Sequence, residues 1–380
     1  MWLAFAVLAS LAGIAYLLHG AGQPSLALSV LFGAAFGIVL QRARFCFFCN
    51  FRDWYDARDP RGLHGILAAL GVGVVGYALV FGAWLPDSSS GRLPPDAFIG
   101  PVGPALVLAG LVFGAGMAVS GSCISAHLYR LGEGSPTAPF ALAGSFAGFM
   151  LGVLSWNALY SVLIADAPVI WLPAWLGYAG TTLLSLATLG ALAWALARTA
   201  SPQARRAARG DACAAVFLER WPSWIGGAII GVLGMAAYLR VAPLGVTAEI
   251  SGRAREAAQG LGIAPLRLEG LDTLRGCVSV VRDAVLSNNG AFVLALIAAS
   301  FAAALAAGQF APSRPTRGQA VRGLLGGLLL GWGAMIGLGC TVGTLLSGIM
   351  AGALSGWVFG AAVFAGVAGT LAASRRLGLP

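Results

Sequence analysis

Gly110-Leu-Val-Phe-Gly114-Ala-Gly-Met-Ala-Val-Ser-Gly121-Ser122-Cys123 begins as an apolar helix, spaces two glycines four residues apart and ends in a glycine–serine break before a cysteine. The same plan recurs at Gly33, Gly37 and Cys46, and again at Gly327, Gly331 and Cys340. In each copy the cysteine stands nine residues after the second glycine. The offsets agree throughout: 110−33, 114−37 and 123−46 all equal 77, and 327−110, 331−114 and 340−123 all equal 217. A fourth copy at Gly227 and Gly231 carries Arg240 at the cysteine position. Gly-x-x-x-Gly alone marks close helix packing, but a cysteine fixed to it three times marks an internal repeat. Four units are expected, two per half: residues 1–198, a basic cytoplasmic connector at 199–222, and 223–380. Together the halves form a single transport domain.

Working outward from this motif, the chain is apolar almost everywhere. Of 380 residues, 58% are hydrophobic and 10% charged, with a mean hydropathy of +0.84; soluble domains carry about 25% charged residues. That excludes a water-soluble globule, a disordered chain and a nucleic-acid binder. Glycine, at 55 residues, is about twice its usual ~7% share, as expected where membrane helices touch closely or break. All 23 basic residues are arginine, so lysine chemistry is excluded.

Apolar stretches suited to crossing a bilayer fall at about 1–19, 25–41, 62–85, 102–120, 137–165, 175–198, 223–241, 291–309, 323–339 and 343–373. The last is long enough to be a broken pair. The fold class is therefore an all-α integral membrane protein with roughly nine to ten transmembrane helices and short re-entrant half-helices. No arginine precedes Arg42, so the first stretch reads as a retained span rather than a signal peptide. The arginines at 198–220, 314–322 and 375–376 should face the cytoplasm.

Each repeat cysteine follows an apolar run and sits among small or turn-permitting residues, including Gly121, Ser122, Gly339 and Thr341. Helix, break, cysteine, helix is the pattern of a discontinuous segment. A half-helix starting there aims unpaired N–H groups and the positive end of its dipole at the cysteine, which suits an anion. Thiols are weak donors, and several weak sites in series let an ion enter and leave. The expected substrate path is Cys46, Cys123 and Cys340 with Gly121, Ser122, Gly339 and Thr341, and Arg240 as a fourth lining position. Accessory positions are Cys49, Arg44, His127, Arg130 and Glu133, with Glu133 bracing Arg130 in a loop. Cys213 and Cys277, in polar connectors, read as small fillers.

Cys46-Phe-Phe-Cys49 could be a redox pair or half a zinc site. No second such pair and no matching histidine spacing completes a metal set, so no metal or cofactor is expected. A thiol–disulfide oxidoreductase built on Cys46 and Cys49 remains the alternative from another class. None of the fourteen carboxylates falls at the centre of a span, which argues against a proton-coupled carrier.

At these residues the sequence resembles the YeeE/YedE family of sulfur-compound transporters, the thiosulfate-uptake proteins in particular. The matching stretches run from Phe36 to Phe47, from Gly114 to Cys123, from Tyr129 to Gly134 and from Gly337 to Thr341. The resemblance implies a pseudo-symmetric, hourglass-like molecule in the bacterial inner membrane, in contact with the lipid bilayer. It also implies that Cys46, Cys123 and Cys340 relay thiosulfate by S–H contacts, and that a small TusA-like sulfur-carrier protein acts on the cytoplasmic side. Some relatives are linked to selenium, so a selenium or other sulfur compound is an alternative substrate.

Overall fold

The computed structural model describes residues 2–201, 220–279 and 286–378. Cys213 and most of the basic connector lie outside the described residues. Ten described helices are long and apolar enough to cross a membrane. They are α1 (Trp2–Gly20), α2 (Pro24–Ala43), α4 (Arg61–Trp84), α5 (Pro104–Ser120), α7 (Ala138–Ile164), α8 (Pro173–Arg198), α9 (Ser223–Arg240), α11 (Asn288–Ala306), α12 (Arg317–Ile336) and α14 (Leu354–Arg376). Four shorter helices alternate with them: α3 (Phe47–Ala57), α6 (Ile124–Gly132), α10 (Ala248–Gly260) and α13 (Thr341–Met350). The apolar run at 343–373 is a broken pair, interrupted between Met350 and Leu354.

Between α1, α8 and the connector, the elements fall into four triplets of span, short helix and span: α2-α3-α4, α5-α6-α7, α9-α10-α11 and α12-α13-α14. Main-chain and side-chain bonds sort the loops onto two faces. Trp221 donates to the Arg42 carbonyl, Ser201 to that of Arg58 and Ala311 to that of Glu133, while Arg375 pairs with Asp56. These contacts gather many of the arginines on one face. On the other, Val102 donates to Pro168, Leu172 to Gly352 and Leu354 to Ile170, Tyr238 to Pro95 and Arg275 to Pro94. The short helices of the first two triplets lie toward the arginine face. Those of the last two lie toward the opposite face, which makes the halves an inverted pair.

The repeated glycines hold the halves together. An added Cβ at Gly33 or Gly37 of α2 would strike the Phe292 or Leu296 backbone of α11; at Gly227 of α9 it would strike Gly65, and at Gly231 Ala69, both on α4. Gly114 of α5 presses on Val363 of α14, and Gly327 and Gly331 of α12 press on Ala141 and Ser145 of α7. In every case the first span of one triplet rides on the last span of a triplet in the other half. Glycine permits this backbone-on-backbone approach, where dispersion takes the place of a hydrophobic drive that lipid cannot supply.

Gly331→Ala should therefore cost about 1–3 kcal/mol, as overpacking does, and lower the melting temperature in detergent. Gly369→Ala, where a Cβ meets nothing within 4 Å, should stay within about 0.5 kcal/mol of the parent. Equal melting shifts for both would contradict the interlock.

Candidate functional site

Each cysteine-bearing break is built alike. The residue two before the cysteine is left-handed in all three: Arg44 (φ 47°), Gly121 (φ 82°) and Leu338 (φ 61°). That conformation costs a non-glycine residue about 1 kcal/mol, so packing must hold Arg44 and Leu338 in place. The cysteine then takes extended backbone and caps the next helix: Cys46 for α3, Cys123 for α6 and Cys340 for α13. Their carbonyls accept the first helical bonds, from Asn50, His127 and Thr344. All three cysteines are fully buried.

The fourth break does not place Arg240 at this position. Arg240 is exposed on the last turn of α9, because seven further residues precede the next short helix. The capping position falls instead on Thr247, sixteen residues after Gly231 rather than nine, and its carbonyl accepts from Ser251. Thr247 is fully buried.

The side chains gather in two clusters. Toward the arginine face, Cys46 contacts both Cys49 and Cys123. The Cys49 N–H lies 3.4 Å from the Cys46 sulfur, and the Arg130 guanidinium lies 3.2 Å from that of Cys49. Cys123 Sγ is 3.3 Å from Ser125 Oγ, and His127, buried, has its Nε2 3.1 Å from Ser120 Oγ. Among the described residues Glu133 forms no ion pair with Arg130. It accepts from Gln41 Nε2 at 3.3 Å, which also donates to Gln309 at 2.8 Å. Burial pushes the Glu133 carboxyl above its ordinary range, although the Gln41 bond and the charges of Arg130, Arg44 and Arg220 pull the other way. Arg44 is exposed at its corner.

The second cluster surrounds Cys340. N–H groups of Val342, Gly343 and Val246 face its sulfur, and the Thr247 side chain lies against it. Cys277, on a 3₁₀ turn at Cys277–Ser279, is also here, 1% exposed and beside Cys340 and Thr247. It also packs with Phe98 and Ala248 in a small apolar cluster, as a filler does. Neither Cys277 nor Thr247 is legible in the sequence as a neighbour of Cys340, since tertiary folding alone brings them together. The one local hint is the small Gly276 preceding Cys277.

Three buried hydroxyls at these breaks, Ser122, Thr247 and Thr341, make no hydrogen bond among the described residues. Buried hydroxyls rarely go unpaired, and of these three Thr247 lies against the Cys277 and Cys340 thiols. Thiols, hydroxyls, helix N-terminal N–H groups and the half-buried Arg130 gather at these breaks, a chemistry suited to an anion.

The family described as sulphur transport matches residues 42–369. The chain belongs to the sulphur-transport family. It is similar to the thiosulfate transporter TsuA of Escherichia coli K12, at 28% identity over 86% of this chain and 87% of that protein. It is also similar to TsuA of Spirochaeta thermophila, at 30% over 87% and 93%. A shorter match, 29% identical over 40% of this chain and 35% of the relative, is to the probable transporter YedE of E. coli K12. The chain is thus a multi-pass membrane transporter of this family, not a thiol–disulfide oxidoreductase.

Mild oxidation should link Cys46 to Cys49 or to Cys123 and leave Cys340 outside any bond with them. Peptide mapping reads the outcome, and a Cys46–Cys340 link would contradict the two-cluster arrangement.

Proposed function

We propose that this protein carries thiosulfate, or a closely related inorganic sulfur anion, inward across the bacterial inner membrane. The observation that carries the reading is the matched placement of Cys123 and Cys340, each capping a half-helix in opposite halves and each beside an unpartnered hydroxyl. The names of the two TsuA relatives supply the substrate. A selenium analogue of the same shape and charge is accommodated by the same chemistry.

The positive-inside rule assigns the arginine face to the cytoplasm. The anion then enters from the opposite face, where Arg275, Gly276, Leu338 and Thr344 line a cavity of about 20 Å³. Such a space holds about one water molecule and no tetrahedral oxyanion, so in this reading the lining opens to admit the anion. At Cys340 the N–H groups of α13 and α13's dipole take up the negative charge, and the neutral thiol adds a weak contact. Cys123 and Cys46 offer the same on the cytoplasmic side, followed by Cys49 beside Arg130. No step demands full desolvation against a fixed positive charge until Arg130, which keeps each station shallow enough to leave. A small TusA-like carrier docking on the arginine face would consume the anion there and draw transport inward.

Purified protein in liposomes should take up radiolabelled thiosulfate, and Cys123→Ala or Cys340→Ala should reduce the rate at least tenfold. Full uptake by both variants would remove the relay. Failure of the parent itself to transport thiosulfate would remove the substrate assignment.

A further inference from the structure

Three triplets present a cysteine at the cap of their short helix, while the fourth presents Thr247. We propose that Cys277 supplies the missing thiol, and that Cys277, Thr247 and Cys340 together form a binding station for the terminal sulfur and oxygens of the transported anion. This rests on the thiosulfate reading and extends it to two residues outside the repeat.

Placement is the first argument. The Cys277 sulfur occupies a notch between two glycines from different triplets, since an added Cβ at Gly245 or at Gly343 would strike it. Gly245 belongs to the break before α10, and Gly343 lies in the first turn of α13. The sulfur thus sits where the third and fourth triplets meet, as Cys46 and Cys123 meet between the first and second. A thiol carried by the connector has been brought to the inverted-repeat counterpart of that contact.

The second argument is an unfilled donor. Thr247 Oγ1 faces both Cys277 and Cys340, is 0% exposed and makes no hydrogen bond of regular geometry. Thr341 Oγ1, next to Cys340, is equally buried and equally unpartnered. A packing role for Cys277 would leave those hydroxyls unexplained, whereas an oxyanion seated among them satisfies both. The N–H groups of Val246, Val342 and Gly343 already face this point.

The third is position. Arg275, two residues away, lines the small cavity on the same side and donates to the Pro94 carbonyl at 2.7 Å. Gly276 and Thr344, next in sequence to Cys277 and to Gly343, line the same cavity, so the station is placed first after entry.

The test compares thiosulfate uptake by the full chain in liposomes for the parent, Cys277→Ala, Cys277→Ser and the double variant Thr247→Cys/Cys277→Ala. Losing one weak hydrogen bond is worth about 0.5–1.5 kcal/mol, so Cys277→Ala should raise KM about 2- to 10-fold. The double variant, with the thiol returned to the repeat position, should recover at least half of that change. Cys277→Ser keeps the volume with a stronger donor and should lower both KM and turnover; it also reads the proposal if the alanine variant does not fold. Parental kinetics in both Cys277→Ala and Cys277→Ser would overturn the station. So would a loss in Cys277→Ala that the double variant leaves uncorrected. A parent protein that transports no thiosulfate would instead strike the underlying reading, and the two failures are thereby distinguished.

Discussion

The structure depends on four places where one helix backbone lies directly on another. Gly33 and Gly37 on α11, Gly227 and Gly231 on α4, Gly110 and Gly114 on α14, and Gly327 and Gly331 on α7 all make the same contact, and each joins one half of the molecule to the other. Within lipid, burying apolar surface gains little, so close approach must supply the association. The glycines therefore do more than let helices touch. They fix the register of the inverted halves, and with it the height at which each first span ends and its break begins.

That register decides where the thiols go. Nine residues past the second glycine, the chain turns through a left-handed residue and presents a cysteine at a helix start. The site thereby gains N–H groups and dipoles that favour an anion without a neutralising charge at each step. A chain of lysines or arginines would bind more tightly and release more slowly. Here the half-buried guanidinium of Arg130 stands against Cys49, next to the face where the other arginines collect.

Much of this was legible beforehand because it is local. Apolar runs mark nine spans to within about six residues at each end, and the tenth, 343–373, splits into a short helix and a span at a break between Met350 and Leu354. Constant offsets exposed the repeat because three copies keep the same length between glycine and cysteine. The fourth copy defeats that ruler. Its seven extra residues move the cap from Arg240 to Thr247, so counting forward lands on an exposed arginine. Cys277 was illegible for a different reason: nothing local distinguishes a connector cysteine from one folded back between Gly245 and Gly343. Three residues on from Arg130, Glu133 suggests a local pair, but the fold gives its hydrogen bond to Gln41.

The central claim is that an anion travels along the helix-capping thiols. Anomalous scattering from crystals grown with selenosulfate, the selenium counterpart of thiosulfate, addresses it most directly because selenium reports its own position. The account predicts a selenium peak in contact with Cys340, Cys123 or Cys46, lying at the start of a half-helix. Selenium found only among the exposed arginines or at the lipid-facing surface, with the capping thiols unoccupied at saturating selenosulfate, would contradict it.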